Sequence, residues 1–115
     1  MKHFLPKESR ILRSRDFRRV QRNGRKWKSR DLFFLYLPNQ ENQVRIGLVV
    51  SKKVGNAVVR NRVKRRLREI FRSQIHSYLK GVDIVVIVFS SFVEKELLCI
   101  EDQCQRALSG IVKKV

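Results

Sequence analysis

The sequence predicts an α+β two-layer sandwich, and three observations carry that prediction. Asp83–Ser90 (DIVVIVFS) is a short, continuous apolar run rich in β-branched residues, the pattern of a strand buried on both faces. Val59, Val63, Leu67, Ile70, Phe71 and Tyr78 fall on one arc of a helical wheel, as in a helix lying on a core. The elements around these two follow the order α-β-β(-β)-α-β-α, with the bracketed strand optional.

Each element has its own signal. Met1–Arg13 is basic and irregular, with Pro6 against an early helix, and reads as extended. Ser14 is placed to cap a short helix running to Asn23 and closed by Gly24, with Phe17 and Val20 on one side and Arg15, Arg18, Arg19 and Arg22 around the rest. So few apolar residues require that helix to dock, and the edge of the sheet is the expected place. Arg25–Ser29 interleaves Trp27 among cations, and Leu32–Leu37 reads as a strand rich in aromatics. Pro38–Asn42 is a turn and Val44–Ser51 a returning strand, so the pair is expected to form an antiparallel hairpin. Gly47 inside the second strand marks a bulge or a close backbone approach.

The long helix is expected over Ala57–Lys80, capped by Asn56 and stopped by Gly81 in the left-handed conformation. After the buried strand, Leu97, Ile100, Cys104, Ala107, Leu108, Ile111 and Val115 recur at helical spacing, with Glu94, Glu96, Glu101 and Asp102 outward. Cys99 and Cys104 lie in this periodic segment without a CxxC spacing or a matching His pair, and read as small buried hydrophobes.

Charge is the most extreme property of the chain. Its 115 residues, enough for one domain over Met1–Val115, carry 27 basic and 10 acidic side chains for a net charge of +17, with 43% apolar residues left for a core. Twelve of the cations lie in Met1–Arg30 and nine in Ser51–Arg72, two blocks expected to converge on one surface. Such self-repulsion is relieved by a polyanion. No apolar run approaches the roughly 20 residues that cross a bilayer, and the N-terminus lacks a secretory apolar region, so a cytoplasmic protein with no membrane partner is expected.

Within Lys52–Arg72 the cations Arg60, Lys64, Arg68 and Arg72 repeat at i, i+4, an arrangement that destabilises a helix by a few tenths of a kcal/mol per pair, on the order of the effect seen for like charges. A solvated face would intersperse Glu and favour Lys; here Glu69 is the one acid, and Arg, whose planar fork matches phosphate, predominates. A nucleic-acid surface is the better reading. Arg60, at the helix start, projects from the side of the apolar arc and must lean over the sheet edge.

Gly55-Asn56-Ala57-Val58, Arg60-Asn61-Arg62 and Lys64-Arg65, preceded by Ser51-Lys52-Lys53, resemble the signature of the protein component of bacterial ribonuclease P, often called the RNR motif. The resemblance extends to Ser14 and Phe17 with the downstream Gly24, to the Arg45–Val50 strand and to Asp83 with its apolar strand. It implies a fold like the second domain of ribosomal protein S5, with a left-handed βαβ crossover, and a cleft between the first helix and the sheet. It also implies an endoribonuclease holoenzyme that removes the 5′ leader of precursor tRNA. In that holoenzyme cleavage is done by a catalytic RNA with Mg²⁺ held mainly by RNA, and no obligate protein partner is needed.

No self-contained nuclease site is visible: His3 and His76 are isolated and the carboxylates are scattered, so no catalytic residue is assigned, and a protein-bound metal is left open. Lys52, Lys53, Arg60, Asn61, Arg62, Lys64, Arg65 and Arg68 are the candidates for binding the catalytic RNA. Phe17, Phe34 and Tyr36 are the candidates for a leader cleft where unpaired bases stack; this chain has Gln21 where many relatives have a second aromatic. Phe17 has an alternative role as a core anchor for a helix poor in apolar residues. A double-stranded-RNA binder of ribosomal type and a DNA reader are the competing functions. The helix's wealth of Arg reads phosphate, not base edges, against the latter.

Overall fold

The computed structural model describes residues 5–78 and 80–115. Val82–Val88 (β4) lies at the centre of a four-stranded sheet because its side chains, Asp83 apart, are apolar on both faces. Leu32–Pro38 (β2) has the same two-sided character and lies beside it, antiparallel. The more polar strands take the edges: Arg25–Lys28 (β1) pairs antiparallel with β2, and Val44–Val49 (β3) pairs parallel with β4, giving the order β1-β2-β4-β3.

This order corrects the expected hairpin. β2 and β3 run in opposite directions but are not neighbours, since β4 inserts between them. The loop through Asn39–Gln43 bridges two inter-strand spacings, roughly 10 Å. Asn39 Oδ1 accepts from Glu41 N at 2.8 Å, and Asn42 takes a left-handed conformation with φ 57°, so the turn itself forms where expected. The tight hairpin is instead β1–β2, which makes β1 the optional strand.

Ser14–Asn23 (α1) packs on one face of the sheet, and Ala57–Gln74 (α2) and Leu97–Lys114 (α3) on the other. Ser14 is the first helical residue, not the cap; Arg13 occupies the cap position without a side-chain hydrogen bond, and Asp16 sits favourably in the first turn. Asn56 caps α2 as expected, its Oδ1 accepting from Val59 N at 3.0 Å.

α2 ends sooner than the sequence suggests. The chain leaves the α-helix after Gln74 and continues as a 3-10 turn over Ile75–Ser77, burying Ile75. Phe71, Ile75 and Tyr78 keep an i, i+4, i+7 apolar pattern through that change, so periodicity alone does not reveal it. The final stretch of the expected helix includes Leu79, outside the described residues. Gly81 has no left-handed φ; it is small because a Cβ there would strike Asn39, 2.6 Å from its backbone oxygen.

The α2/α3 side holds the main core. Leu32, Phe34 and Tyr36 of β2, Val44 and Ile46 of β3, and Val82, Ile84, Val86 and Val88 of β4 meet Val63, Leu67, Ile70 and Phe71 of α2 and Ile100, Cys104, Ala107, Leu108 and Ile111 of α3. Cys104 is a buried free thiol whose pKa burial pushes up. Leu97, expected inward, is exposed, and Gln103 is buried in its turn. Gln103 Oε1 accepts from Ser29 Oγ and Asp31 N, and its Nε2 donates to the fully buried Asp31, which also accepts from Ser91 Oγ at 2.6 Å. That network pins the β1–β2 turn to α3.

The N-terminal segment is less irregular than expected. Leu5 is buried, Lys7–Ser9 forms a 3-10 turn, and Arg10 bridges to Ile46, with Ile11 N donating to Ile46 O at 2.9 Å. It thus covers part of the exposed edge of β3. Residues 1–4, among them His3, lie outside the described residues.

Candidate nucleic-acid interface

The cations of α2 occupy three sides of the helix, because its apolar arc leaves the remaining circumference to them. Asn61, Arg62 and Arg65 are exposed, whereas Arg60, Lys64 and Arg68 are half-buried, the last two on the flank facing β3. Arg60 Nε donates to Gly55 O at 3.1 Å, a contact with the loop before the helix and not with the sheet edge that the sequence suggested. Lys64 and Arg68 line a cavity of about 120 Å³ together with Arg10, Ile11, Phe17 and Gly47. Burial, and after it the charge of Arg10, lowers the Arg68 pKa from its ordinary value. Arg62 and Arg66 flank a second groove with Val59, Val63, Phe92 and Val93.

Lys52 and Lys53 are exposed on the turn that follows β3, whose Val54 N donates to Ser51 O at 3.1 Å while the buried Val54 side chain anchors it. That turn leads directly into the start of α2. The structure therefore brings Lys52, Lys53, Arg60, Asn61, Arg62, Lys64, Arg65 and Arg68 onto one loop-and-helix unit, but over several of its sides and not as a single flat patch.

The predicted cleft aromatics divide. Phe17 is half-buried on the sheet face that α1 covers, its ring seated on Gly47, where an added Cβ would lie 2.6 Å from Phe17 Cε1. Gly47 is thus the close approach that the sequence suggested. Phe34 and Tyr36 are on the wrong face: they are 0% and 3% exposed in the α2/α3 core and have no surface to offer a base. Their neighbours in β2 point the other way, since side chains alternate along a strand. Phe33 is the aromatic on the α1 side, half-buried beside Leu35 and Leu37.

Strand register extends that position into a row. Phe33 pairs with Ile87, Ile87 with Val49, and Phe33 with Lys28, so Val49, Ile87, Phe33 and Lys28 cross all four strands over roughly 14 Å. The three apolar members are half-buried, because α1 covers the adjacent rows and stops short of this one. The sequence holds only half of a signal for Phe33. β1 alternates Lys26, Trp27, Lys28, and Trp27 belongs to the core; only the register, which sets Trp27 opposite Phe34, transfers that parity to β2.

A buried carboxylate sits at the other end of the same face. Asp83, 0% exposed, accepts from Arg45 Nε and Nη2 at 2.7 Å each, from Asn39 Nδ2 at 2.6 Å and from Arg19 Nη2 at 3.0 Å. Its hydrogen bonds raise the Arg45 pKa above the usual arginine value against the opposing effect of burial. The sequence marked Asp83 as a strand residue and gave no sign of this network, whose members lie up to 64 positions apart.

Among the described residues no group of three or more His, Cys, Asp or Glu is placed to hold a metal ion. The two fully buried carboxylates among the described residues, Asp31 and Asp83, are occupied by hydrogen-bond donors, so neither is open to a Mg²⁺ ion. His76 is exposed and isolated from such a group. No described helix is long and apolar enough to cross a membrane.

These features define a class: a small, highly basic α+β protein with a cation-clad helix on one side of its sheet and a partly uncovered apolar row on the other. A sequence model of the Ribonuclease P family matches residues 5–112, and the chain belongs to that family, the protein component of a bacterial tRNA-processing ribonucleoprotein endoribonuclease. The ribonuclease P protein component of Streptococcus pneumoniae serotype 4 is 42% identical over 83 residues, covering 72% of this chain and 68% of that protein. A Staphylococcus aureus RNase P protein, solved as a mutant with defective mRNA degradation activity, superposes with a TM-score of 0.81 at 34% identity over 90% of this chain and 87% of that one. The RNase P protein from Thermotoga maritima gives a TM-score of 0.77 at 30% identity, covering 92% and 96%.

Proposed function

We propose that the chain binds the RNA component of ribonuclease P through the Lys52–Lys53 turn and the α2 residues Arg60, Asn61, Arg62, Lys64, Arg65 and Arg68. On this reading it takes the single-stranded 5′ leader of precursor tRNA along the row Val49–Ile87–Phe33–Lys28 beside Phe17. The phosphodiester is cut by the RNA component with Mg²⁺ that the RNA holds, in the cytoplasm, and the protein supplies electrostatic and stacking contacts. Arg pairs with phosphate through its planar fork, Asn61 hydrogen-bonds a backbone or 2′-hydroxyl oxygen, and the aromatic rings accept bases in any order.

One observation carries this reading: the two surfaces meet. Lys64 and Arg68 of α2 line the same small cavity as Phe17, so a strand lying in the cleft runs directly beside the cationic helix. Reconstitution tests it. At low Mg²⁺ the protein should restore cleavage of precursor tRNA by the RNA component, while the protein alone should cut nothing. Failure to stimulate, together with equal binding to unrelated double-stranded RNA, would replace the proposal with the general double-stranded-RNA binder.

A further inference from the structure

The geometry points to Asp83 as a positioning residue for the leader cleft: through Arg19 it fixes α1 on the sheet, and thereby places Phe17 beside the open row. This inference rests on the leader-binding role proposed for that row.

The argument starts from how little apolar surface holds α1. Val20 is its one fully buried side chain, packed with Leu35 and Val85, and Phe17 is half-buried. Arg15, Arg18 and Arg22 are exposed. A helix resting on Val20 and Phe17 alone could slide or roll on a smooth apolar face, because hydrophobic contact is non-directional. It also approaches a sheet that already presents Arg45, a like charge.

Asp83 resolves both difficulties at one point. Arg45 stands directly opposite it in the β3–β4 register and binds both carboxylate oxygens, leaving lone pairs in fixed directions for Asn39 on one oxygen and Arg19 on the other. Asp16, 4.0 Å from Arg45, adds a weaker second tie from α1. The attachments of α1 then fall on different strands: Phe17 on Gly47 of β3, Arg19 on Asp83 of β4, and Val20 against Leu35 of β2. Contacts not on one line exclude both sliding and rolling. Arg19 and Arg45 are accordingly cations used inside the protein, in contrast to those of α2.

The test uses reconstituted holoenzyme and measures the affinity ratio between precursor tRNA and mature tRNA lacking the leader, at several salt concentrations. Arg19→Gln removes the positive charge and shortens the side chain that reaches Asp83 while leaving the Arg45–Asp83–Asn39 set intact, so it should fold even if Asp83→Asn does not; Arg19 is 41% exposed. It should lower leader preference by roughly fivefold or more while leaving affinity for the RNA component unchanged, and its effect should be non-additive with that of Phe17→Ala. Because Arg19 is assigned no phosphate, the log–log salt slope for the leader should not change. A slope reduced by about 0.7 would make Arg19 a direct RNA contact and overturn the inference. So would unchanged leader preference in a folded Arg19→Gln protein, or strict additivity with Phe17→Ala. If Phe17→Ala itself leaves leader preference intact, it is the leader-binding reading that fails.

Discussion

The two faces of the sheet are built from the same strands and end differently. On one side two helices of 18 residues each bury the inward residues of the two central strands among aliphatic and aromatic neighbours, and only Trp27 and Leu48 of the edge strands stay half-buried. On the other, a single helix of 10 residues buries Val20 and is tied down by an ion network, so Phe33, Val49 and Ile87 stay half-buried. A face closed by apolar packing is stable and chemically silent; one closed by a few directional polar contacts keeps an apolar row available. Adjacent residues of β2 sample both conditions, and Phe33 and Phe34 make the comparison without changing residue type.

The largest expected effect separates those two residues. Phe34→Ala removes a fully buried ring and should cost about 3–5 kcal/mol of stability, lowering the thermal midpoint by on the order of 10 °C or more. Phe33→Ala, half-buried at an open row, should cost about half as much while reducing leader affinity in folded holoenzyme. Thermal unfolding with leader-binding measurements on both variants decides the matter. Equal destabilisation with no change in leader binding would erase the distinction between the faces.

Phe33 and Phe34 also show what was legible in the sequence. The two helical faces, the buried central strand and the Asn56 cap were readable because each depends on local periodicity or a local hydrogen bond. The pairing of β4 between β2 and β3 was not, since a turn at Pro38–Asn42 is compatible with neighbouring strands and with strands one position apart. β2 is apolar at nearly every position, so its composition carries no inside and outside. An incorrect choice of parity moves every side chain to the other face, and this placed Phe34 and Tyr36 in a cleft they do not line. The cations of α2 were legible as a group, because charge along a helix needs no tertiary partner. Arg19, Arg45 and Asp83 were not, because their network joins residues from three distant segments.

Phe17 bears on the comparison from the α1 side. Its ring packs on Gly47 and also borders the cavity lined by Lys64 and Arg68, so it belongs partly to packing and partly to the open surface. Phe17→Ala should weaken leader binding by about 1–3 kcal/mol, roughly 5- to 150-fold, with mature tRNA affected far less. Because the ring is only half-buried, stability should fall by less than for Phe34→Ala. Equal losses for the two tRNAs, or a loss of stability matching that of Phe34→Ala, would assign Phe17 to the closed class.

The smallest effect tests whether the cations of α2 differ by their side of the helix. Arg62 is exposed, and truncating it removes charge and little else; Arg62→Ala should leave unfolding unchanged and lower affinity for the RNA component. If Arg62 meets one phosphate, the log–log salt slope should fall by about 0.7–0.9. Arg60 is half-buried and donates to Gly55 O, so Arg60→Ala should add to the same slope change a stability loss of about 0.5–1.5 kcal/mol, from the lost hydrogen bond at the helix start. The pair therefore separates a contact made only with RNA from one that also shapes the loop presenting Lys52 and Lys53. An unchanged slope in both variants would remove Arg60 and Arg62 from the RNA interface. An unchanged slope in Arg60→Ala alone would confine Arg60 to holding the loop, leaving the phosphate contacts to Arg62 and the other exposed cations of the helix.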